Sequence, residues 1–310
     1  MENQSNSIEP KKKKVERVAK YEIRKTSPVY RKDKPFDATV LSNEALTTAE
    51  TDADVRNIVF SHQGSEIEYV EGQSMGVLVP STSGFDKPRL YSIASSRTGD
   101  DRSLKTFTLC VKRVKYIDSE SGEENKGLAS NYLCDLKEGE VAKMIGPFGK
   151  HFALPEDTST DIIMAGVGTG VAPYRSFIHR MYEEGENNWQ GKVYLFFGAR
   201  TEHEALYMDE VNQDLEQYGE QKNFKLFKAL SRVADEDKNK GYIQDRLKEN
   251  SEEIWDVLMK GTFCLYVCGL KGLEKGILEL FAQIAEEKGE DWPTLLKKFK
   301  AEGRWNIEVY

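Results

Sequence analysis

The segment Gly166-Val-Gly-Thr-Gly170-Val-Ala-Pro173-Tyr-Arg175 is the strongest indicator of the fold class. An apolar run at residues 161–165 predicts a buried strand before it, and residues 171–184 have the pattern of a helix. Glycines let a backbone approach a pyrophosphate, and the first N–H groups of a helix attract its charge. Pro173 fits a first helical turn, where no N–H is needed. We therefore predict a nucleotide phosphate site between a strand and a helix.

The rest of the C-terminal half alternates between strand-like and helix-like segments. Strands are predicted at residues 192–197, 224–229, 263–267 and 305–309, and helices at 208–218, 243–259, 270–288 and 292–300. This alternation predicts a Rossmann-like α/β domain, in which a parallel five-stranded sheet is covered on both faces. Ligands of such sheets bind beyond the carboxyl ends of the strands.

Short strand-like segments fill residues 36 to about 155. Residues 55–60 alternate in polarity, and residues 105–115 are rich in β-branched and aromatic side chains. With one helix near residues 128–136, this spacing predicts an antiparallel barrel or sandwich. We predict three parts: a basic flexible arm at 1–34, a cofactor-binding β domain at 35–157 and an α/β domain at 158–310.

Composition excludes several classes of protein. The 310 residues suit two domains, and no apolar run approaches the ~20 residues that a membrane span needs. The four cysteines (Cys110, Cys134, Cys264 and Cys268) form no Cys-x-x-Cys pair, and the histidines are scattered. No metal site is therefore expected. Cysteines inside apolar runs indicate reduced core residues and a reducing compartment.

Charge is distributed unevenly along the chain. The net charge is −8, yet eleven Lys or Arg and only three Asp or Glu lie between residues 10 and 35. This segment is either a solvated arm or a docking surface for an acidic partner, and the acidic body argues against nucleic acid. The N-terminus has no secretory pattern, so we expect a bacterial cytoplasmic protein or, alternatively, a mature protein of the plastid stroma.

A second set of motifs lies in the strand-rich region. Arg89-Leu-Tyr91-Ser92 offers a cation for a phosphate, an aromatic face for the flat ring of a flavin and a hydroxyl for a ring nitrogen. Gly127-Leu-Ala-Ser130 precedes a helix-like run. Ser130 is expected to cap this helix and to contact a pyrophosphate at the same end.

Together with Leu109-Cys-Val-Lys-Arg113, Cys268-Gly-Leu-Lys-Gly272 and Trp305-Asn-Ile-Glu-Val-Tyr310, these motifs resemble plant-type ferredoxin–NADP⁺ reductases. The resemblance runs in the family's order and spacing from about residue 35 to residue 310. It implies an enzyme with an FAD-binding antiparallel β-barrel and an NADP(H)-binding α/β domain. It also implies electron transfer between NADP(H) and a one-electron carrier, with ferredoxin as the first choice.

The resemblance also implies which residues bind each cofactor. Those implied for FAD are Arg89, Tyr91, Ser92, Cys110, Val111, Lys112, Gly127, Ser130 and Tyr310. Those implied for NADP(H) are Gly168, Thr169, Gly170, Arg175, Ser231, Arg232, Lys240, Tyr242, Gly269 and Leu270. The 2′-phosphate is expected between Ser231, Arg232 and Tyr242, with either Lys240 or Lys238 as a second cation. An NAD-specific pocket would instead place a carboxylate on the ribose.

Four residues are implied at the reacting centre, namely Ser92, Cys268, Glu308 and Tyr310. Cys268 is expected to present an exposed sulfur to the nicotinamide and to position it, without acting as a nucleophile. Glu308 is expected to relay protons or to polarise the site through Ser92. Tyr310 is expected to stack on the flavin face opposite Tyr91, where NADP(H) must displace it.

The partner should be a small, acidic one-electron carrier, because a flavin accepts two electrons as hydride and releases them singly. Ferredoxin or flavodoxin is expected to dock weakly and salt-sensitively on a monomeric enzyme. The basic residues that could face it are Lys32, Lys34, Lys87, Arg89, Lys150, Lys297, Lys298, Lys300 and Arg304. Two alternatives are the reductase component of a flavodoxin or oxygenase system, and a non-catalytic flavoprotein that serves as an interaction module.

Overall fold

A computed structural model of the chain describes residues 17–20, 30–81, 84–85, 87–119, 121–183 and 189–310. Most of the predicted basic arm, at residues 1–16 and 21–29, lies outside the described residues. The main elements are a six-stranded antiparallel sheet and, after it in the chain, a five-stranded parallel sheet.

The described residues before residue 150 form ten strands and one helix. In chain order they are β1 (Phe36–Ala45), β2 (Val55–Ser61), β3 (Ser74–Leu78), β4 (Pro80–Ser81), β5 (Gly84–Phe85), β6 (Arg89–Ser92), β7 (Thr106–Lys112), β8 (Lys115–Ile117), β9 (Glu124–Lys126), α1 (Leu128–Asp135) and β10 (Val141–Phe148).

The antiparallel sheet closes into a barrel, as the resemblance implies. Its strand order is β6-β3-β10-β1-β2-β7, and β4–β5 and β8–β9 form separate hairpins. The first and last strands meet because Ile93, just after β6, pairs with Leu109 of β7. The Ala94 N–H also donates to the Thr108 carbonyl at 2.8 Å. Alternate residues of the strands face inward, as pleating requires, and fill the barrel with Val, Ile, Phe and Met side chains.

The described residues from 161 onward form five strands and five α-helices. In chain order they are β11 (Asp161–Val167), α2 (Ala172–Tyr182), β12 (Val193–Ala199), β13 (Phe224–Leu230), α3 (Ile243–Glu249), α4 (Ser251–Lys260), β14 (Phe263–Gly269), α5 (Lys271–Glu287), α6 (Trp292–Ala301) and β15 (Trp305–Val309). Short 3₁₀ turns cover Gly168–Val171, Glu202–Glu204 and Glu216–Glu220.

The parallel sheet has the order β13-β12-β11-β14-β15, so the predicted five-stranded Rossmann-like sheet is confirmed. Successive residues of β11 face opposite sides. Ile163 and Ala165 pack with α3 to α6, whereas Ile162 and Met164 pack with α2. The α2 side also includes residues of the barrel, such as Val55 and Cys110. One hydrophobic cluster therefore spans both domains, in addition to the separate core of the barrel.

The helix predicted at residues 208–218 is wrong. Residues 205–215 form a series of turns, because polar side chains take the backbone N–H groups that a helix would use. The Asp209 carboxylate accepts from the N–H groups of Val211 and Asn212, both at 3.0 Å, and the Asn212 side chain accepts from the Asp214 N–H. The preceding Tyr207 has a positive φ of 63°, which a helix does not allow.

Residues 17–20, a described part of the predicted arm, are fixed against the α/β domain. The Val18 N–H donates to the Glu302 carbonyl at 2.9 Å, and the Ala19 carbonyl accepts from the Glu156 N–H at 3.0 Å. The Lys20 ammonium donates to the His151 carbonyl at 2.7 Å and to the Asn306 side chain. These four residues are thus hydrogen-bonded to both the interdomain segment and the C-terminal elements.

None of the helices in the described ranges combines the length and the apolar character required to cross a membrane.

Candidate active site

The glycine-rich stretch forms a tight 3₁₀ turn between β11 and α2. Gly168 has a φ of 54°, and a Cβ on Gly170 would lie 2.3 Å from the Cys268 carbonyl oxygen, so no larger residue fits there. Neither the turn nor α2 has a side-chain cap. The uncapped first N–H groups of these helical segments are compatible with the phosphate site that stays a prediction from the sequence.

A groove of about 540 Å³ opens at the carboxyl ends of the parallel strands. Its walls come from the glycine loop, the ends of β12 and β13, the start of α3, the chain terminus and one residue of the barrel. Seven of the predicted cofactor residues line it: Lys112, Gly168, Thr169, Ser231, Tyr242, Leu270 and Tyr310. Lys112, implied for FAD, thus faces the nucleotide groove, because β7 ends there. Gly170 and Gly269 are buried and do not line the groove.

The residues implied for the 2′-phosphate gather at the end of β13. The N–H groups of Ser231 and Arg232 donate to the carbonyls of Ala199 and Arg200, at 3.0 and 2.7 Å, which joins this loop to the end of β12. The Arg232 side chain is exposed beside the groove. Tyr242, 66% exposed, presents its ring to the groove.

The structure also distinguishes the two alternative lysines. Lys240 pairs with Leu230 next to the groove, and its ammonium donates to the Val233 carbonyl at 2.6 Å and lies 3.4 Å from the Asp235 carboxylate. Lys238 lines a different, acidic groove with Glu202 and other residues. Lys240 is therefore the one of the two that lies near Ser231.

Tyr310 ends the chain at the mouth of the groove. Its N–H donates to the Gly269 carbonyl at 3.0 Å, and its hydroxyl lies 2.8 Å from the Thr169 hydroxyl of the glycine loop. The residue is 60% exposed. The ring therefore occupies the side of the groove where the glycine loop, β14 and the terminus meet, and it has no packed core to hold it there.

Cys268 and Glu308 are opposite each other in the register of β14 and β15. The expected exposed sulfur is wrong, since Cys268 is only 2% exposed between β11 and β15. Burial, together with the nearby Glu308 charge, raises the pKa of the thiol, which stays protonated at neutral pH. Burial raises the pKa of the Glu308 carboxyl to about 7, a value suited to proton transfer near neutral pH.

The Arg-x-Tyr-Ser motif lies on β6, next to the seam where the barrel closes. Arg89 and Leu90 are exposed, whereas Tyr91 and Ser92 are half-buried. Burial raises the pKa of Tyr91 to about 12, so the phenol is neutral. On β7, Cys110 and Val111 have buried side chains, so only their backbone groups could contact a cofactor.

The Gly127 turn and Ser130 lie at the start of α1. A Cβ on Gly127 would lie 2.9 Å from the Ser130 hydroxyl and 3.0 Å from Val114, so a larger residue would have to push these two side chains aside. The expected capping role of Ser130 is wrong. Gly127 is the N-cap, and the buried Ser130 hydroxyl donates to the Gly127 carbonyl and accepts from the Val114 N–H, both at 3.1 Å. The N-terminus of α1 has no side-chain cap, as a phosphate site requires.

Arg175 lies outside the groove, contrary to expectation. Its guanidinium, almost fully buried, is 2.8 Å from Asp100, 2.5 Å from Asp214 and 4.9 Å from the Tyr207 ring. It also donates to the barrel's Ala94 carbonyl at 2.9 Å. The N–H groups of the Arg175 guanidinium are thus bonded to protein groups of both domains, and the side chain is not available to a nucleotide.

Some groove and surface residues were missed by sequence reasoning. Arg200 and Glu204 line the groove just after β12. The rule that ligands bind at strand ends would have indicated Arg200. Tyr116 and Leu128 are 52% and 57% exposed, in the β8–β9 hairpin and at the start of α1. No periodic pattern marks them, because their exposure depends on how the hairpin folds back.

Residues 164–279 match the family model of the oxidoreductase NAD-binding domain. The chain is 42% identical over 289 residues to the ferredoxin–NADP reductase of Thermosynechococcus vestitus, covering 91% of this chain and 74% of the relative. It is also 42% identical over 282 residues to the chloroplastic ferredoxin–NADP reductase, leaf isozyme 1, of Arabidopsis thaliana, covering 89% and 77%. The Plasmodium falciparum ferredoxin–NADP⁺ reductase has the same fold, with a TM-score of 0.72 at 23% identity over 91% of this chain and 98% of that one. The chain thus belongs to the ferredoxin–NADP reductase family.

Proposed function

We propose that this chain is an FAD-dependent ferredoxin–NADP⁺ reductase, which exchanges hydride with NADP(H) and single electrons with ferredoxin. The observation that carries the proposal is the position of Tyr310. The terminal aromatic ring is held by Thr169 at the mouth of a groove between the barrel and the α/β domain. The names of the cyanobacterial and chloroplastic relatives support the same activity.

The barrel residues fit a flavin dinucleotide. β6 is hydrogen-bonded to β3 on one side only, and Leu90 beside Tyr91 is 59% exposed. Exposed apolar side chains next to an uncapped helix N-terminus suit a ligand with a flat ring and a pyrophosphate. We assign Arg89, Tyr91 and Ser92, with the backbone of residues 110–111 and the Gly127 turn, to FAD. Tyr116 and Leu128 are added as apolar contacts for its adenine.

We assign NADP(H) to the groove, with Gly168 and Thr169 near the pyrophosphate and nicotinamide. Ser231, Arg232, Lys240 and Tyr242 are assigned to the adenosine 2′-phosphate. Gly170, Gly269 and Leu270 shape the loops around it, and Lys112 supplies a cation from the barrel. No carboxylate replaces Arg232 at the end of β13, which favours NADP(H) over NAD(H).

At the reacting centre, bound FAD would supply hydride acceptance and single-electron release. The chain's own residues orient and protect that reaction. We propose that the buried Cys268 supports the glycine loop from behind, that Glu308 holds or transfers a proton toward Ser92, and that the Tyr310 ring covers the flavin until NADP(H) displaces it.

We propose that ferredoxin docks on a basic surface of a monomeric enzyme, with flavodoxin as the alternative carrier. Lys297, Lys298 and Lys300 on α6 are exposed. Arg304, however, lies 3.1 Å from the Glu302 carboxylate, so we remove it from this surface. We propose the bacterial cytoplasm as the compartment, or alternatively the plastid stroma, since the four free cysteines are all buried and suit reducing conditions.

The proposed function is tested by purifying the holoprotein and measuring NADPH oxidation with ferredoxin, flavodoxin and ferricyanide. A yellow protein whose ferredoxin-dependent turnover falls steeply with salt, while its ferricyanide turnover does not, supports the proposal. A colourless protein that does not take up FAD contradicts the flavin assignment. A flavoprotein with no NADPH turnover on any acceptor supports a non-catalytic role instead.

Nucleotide selectivity is tested with Arg232→Ala. A charged contact to a phosphate is worth ~1.5–3 kcal/mol, so KM for NADPH should rise about tenfold or more, whereas KM for NADH should change little. Lys238→Ala, which removes a neighbouring cation outside the groove, is the matched control. Equal effects of Arg232→Ala on both coenzymes would contradict the 2′-phosphate assignment.

A further inference from the structure

Arg200 is a groove residue that the cofactor assignments leave without a role. It directly follows β12, and its carbonyl accepts from the Arg232 N–H at 2.7 Å. Arg200 therefore lies at the same sheet edge as the proposed 2′-phosphate site, and its side chain lines the groove. A guanidinium at this position can bind a phosphate through two parallel N–H groups.

The Arg200 side chain already bridges the two domains. Its guanidinium lies 2.5 Å from Asp52, in the β1–β2 loop of the barrel, and 2.5 Å from Glu204. Glu204 in turn accepts a hydrogen bond from the Thr51 hydroxyl of the same barrel loop at 2.6 Å. Asp52, Thr51, Arg200 and Glu204 form one cluster, which we name the latch.

The two carboxylates of the latch are not equivalent. The Glu204 side chain is 13% exposed and is held by both Thr51 and Arg200, whereas the Asp52 side chain is 82% exposed. An exposed ion pair is weak, because water screens the two charges. A phosphate entering the groove can therefore displace Asp52 more easily than Glu204.

Resting on the proposed NADP(H) function, we infer that Arg200 is a further phosphate-binding residue that exchanges Asp52 for a nucleotide phosphate. The exchange breaks one contact between the barrel and the α/β domain. Nucleotide binding and domain contact are thereby coupled, and Asp52 lowers the affinity for the nucleotide by competing for the guanidinium.

The test measures NADP⁺ dissociation constants of the holoprotein from the change in the flavin spectrum. Asp52→Asn should tighten binding about two- to fivefold, the range set by one exposed ion pair. Arg200→Ala should weaken binding about tenfold, and Arg200→Lys should restore part of the loss. In the Arg200→Ala background, Asp52→Asn should have almost no effect, because the two substitutions act through one contact.

Glu50→Gln is the matched control, since it removes an exposed charge from the same loop without touching Arg200. It should change the dissociation constant less than Asp52→Asn does. Equal changes for the two variants would show that any loss of negative charge from this loop tightens binding, and this would overturn the inference. So would weaker binding in Asp52→Asn, which indicates a purely structural latch. If the wild-type flavoprotein binds no NADP⁺, the proposed function itself fails. If the wild type binds NADP⁺ but the Asp52 and Arg200 variants have the same dissociation constant, only the inference about the latch is refuted.

Discussion

Glu308 and Cys268 lie opposite each other on neighbouring strands, and burial changes the charge that each carries. Burial keeps the Cys268 thiol neutral, so it cannot act as a thiolate nucleophile at neutral pH. The raised pKa of Glu308, about 7, leaves it able to hold or release a proton under the same conditions. The half-buried Glu308 is thus suited to proton transfer, whereas the buried Cys268 is suited to holding the neighbouring backbone in place.

We predict a pH-dependent effect of Glu308→Gln on stability. The folded-state pKa of about 7 is above the ordinary 4.5, so the contribution of Glu308 to stability is full below pH 4.5 and is lost as pH rises through 7. Glutamine avoids this loss. The variant should melt close to wild type at pH 5 and a few degrees higher, roughly 2–4 °C per kcal/mol, at pH 8.

Thermal unfolding of the holoprotein at pH 5, 6.5 and 8 checks this prediction. Glu279→Gln, on the exposed face of α5, is the control and should differ from wild type by the same amount at each pH. A Glu308→Gln difference that does not grow with pH would contradict a raised pKa.

Tyr310→Ser should tighten NADP⁺ binding about tenfold, since a nicotinamide no longer has to displace an aromatic ring from the flavin. The preference for NADPH over NADH should weaken at the same time. To displace the ring, a coenzyme must bind tightly through its adenosine end, and only NADPH has the 2′-phosphate for this. Without the ring, that requirement is lost. Thr169→Val, which removes only the hydroxyl contact to Tyr310, should have a smaller effect. An unchanged NADP⁺ affinity in Tyr310→Ser is incompatible with the proposed cover.

At the scale of elements, the turn between β11 and α2 shows how sequence translates into a site. Gly170 is packed against the backbone of β14, which brings the glycine loop and Cys268 together. The segment was identifiable from the sequence because its requirements are local: a strand, glycines and Pro173 at the start of a helix. By contrast, residues 208–218 have the spacing of a helix, but the side chains of Asp209 and Asn212 accept hydrogen bonds from nearby backbone N–H groups. These local hydrogen bonds stabilise turns in place of the helix.

Gly170→Ala should destabilise the protein and abolish nucleotide binding, because its Cβ would lie 2.3 Å from the Cys268 carbonyl oxygen. Relief requires β14 to move, at a cost of about 1–3 kcal/mol for overpacking. Gly219→Ala is the matched control, since no atom lies within 4 Å of its Cβ position and it lies in the 3₁₀ turn at Glu216–Glu220, outside the groove. Melting temperature and NADP⁺ affinity are the measurements. A Gly170→Ala variant with wild-type values of both would rule out the close packing.

In the molecule as a whole, Arg175 makes a buried polar contact between the domains. It joins α2 to the barrel through Asp100 and the Ala94 carbonyl, and to the 205–215 turns through Asp214. The pKa of Asp214 is lowered to about 2: its burial raises the pKa, but hydrogen bonds and charges from His179 and Arg175 outweigh it. The orientation of the nucleotide groove relative to β6 therefore depends on a buried charge network, in addition to the shared hydrophobic cluster.

Arg175→Met should cost about 3–5 kcal/mol of unfolding free energy, because it leaves two carboxylates without their cation. This corresponds to a fall in melting temperature of roughly 10 °C. Lys260→Met, which breaks an exposed ion pair within α4, is the control and should cost under about 1 kcal/mol. Similar melting temperatures for the two variants would show that Arg175 does not hold the domains.

The parallel sheet, the antiparallel barrel strands, the glycine turn and the Trp305–Val309 strand could all be predicted from the sequence. Each depends on periodicity or on residue types within a few positions, which act locally. The resemblance to the family added residues that are distant in the chain, such as Tyr91 and Glu308.

Which side chains face a ligand and which face the protein could be read only from the packing of the folded chain. Cys268, Ser130 and Arg175 were all expected to reach a ligand, yet each is buried by elements far away in the sequence. Arg200, conversely, lines the groove and reaches Asp52 of the other domain. Exposure and partner choice depend on how separate elements pack, and no local pattern of residues encodes that packing.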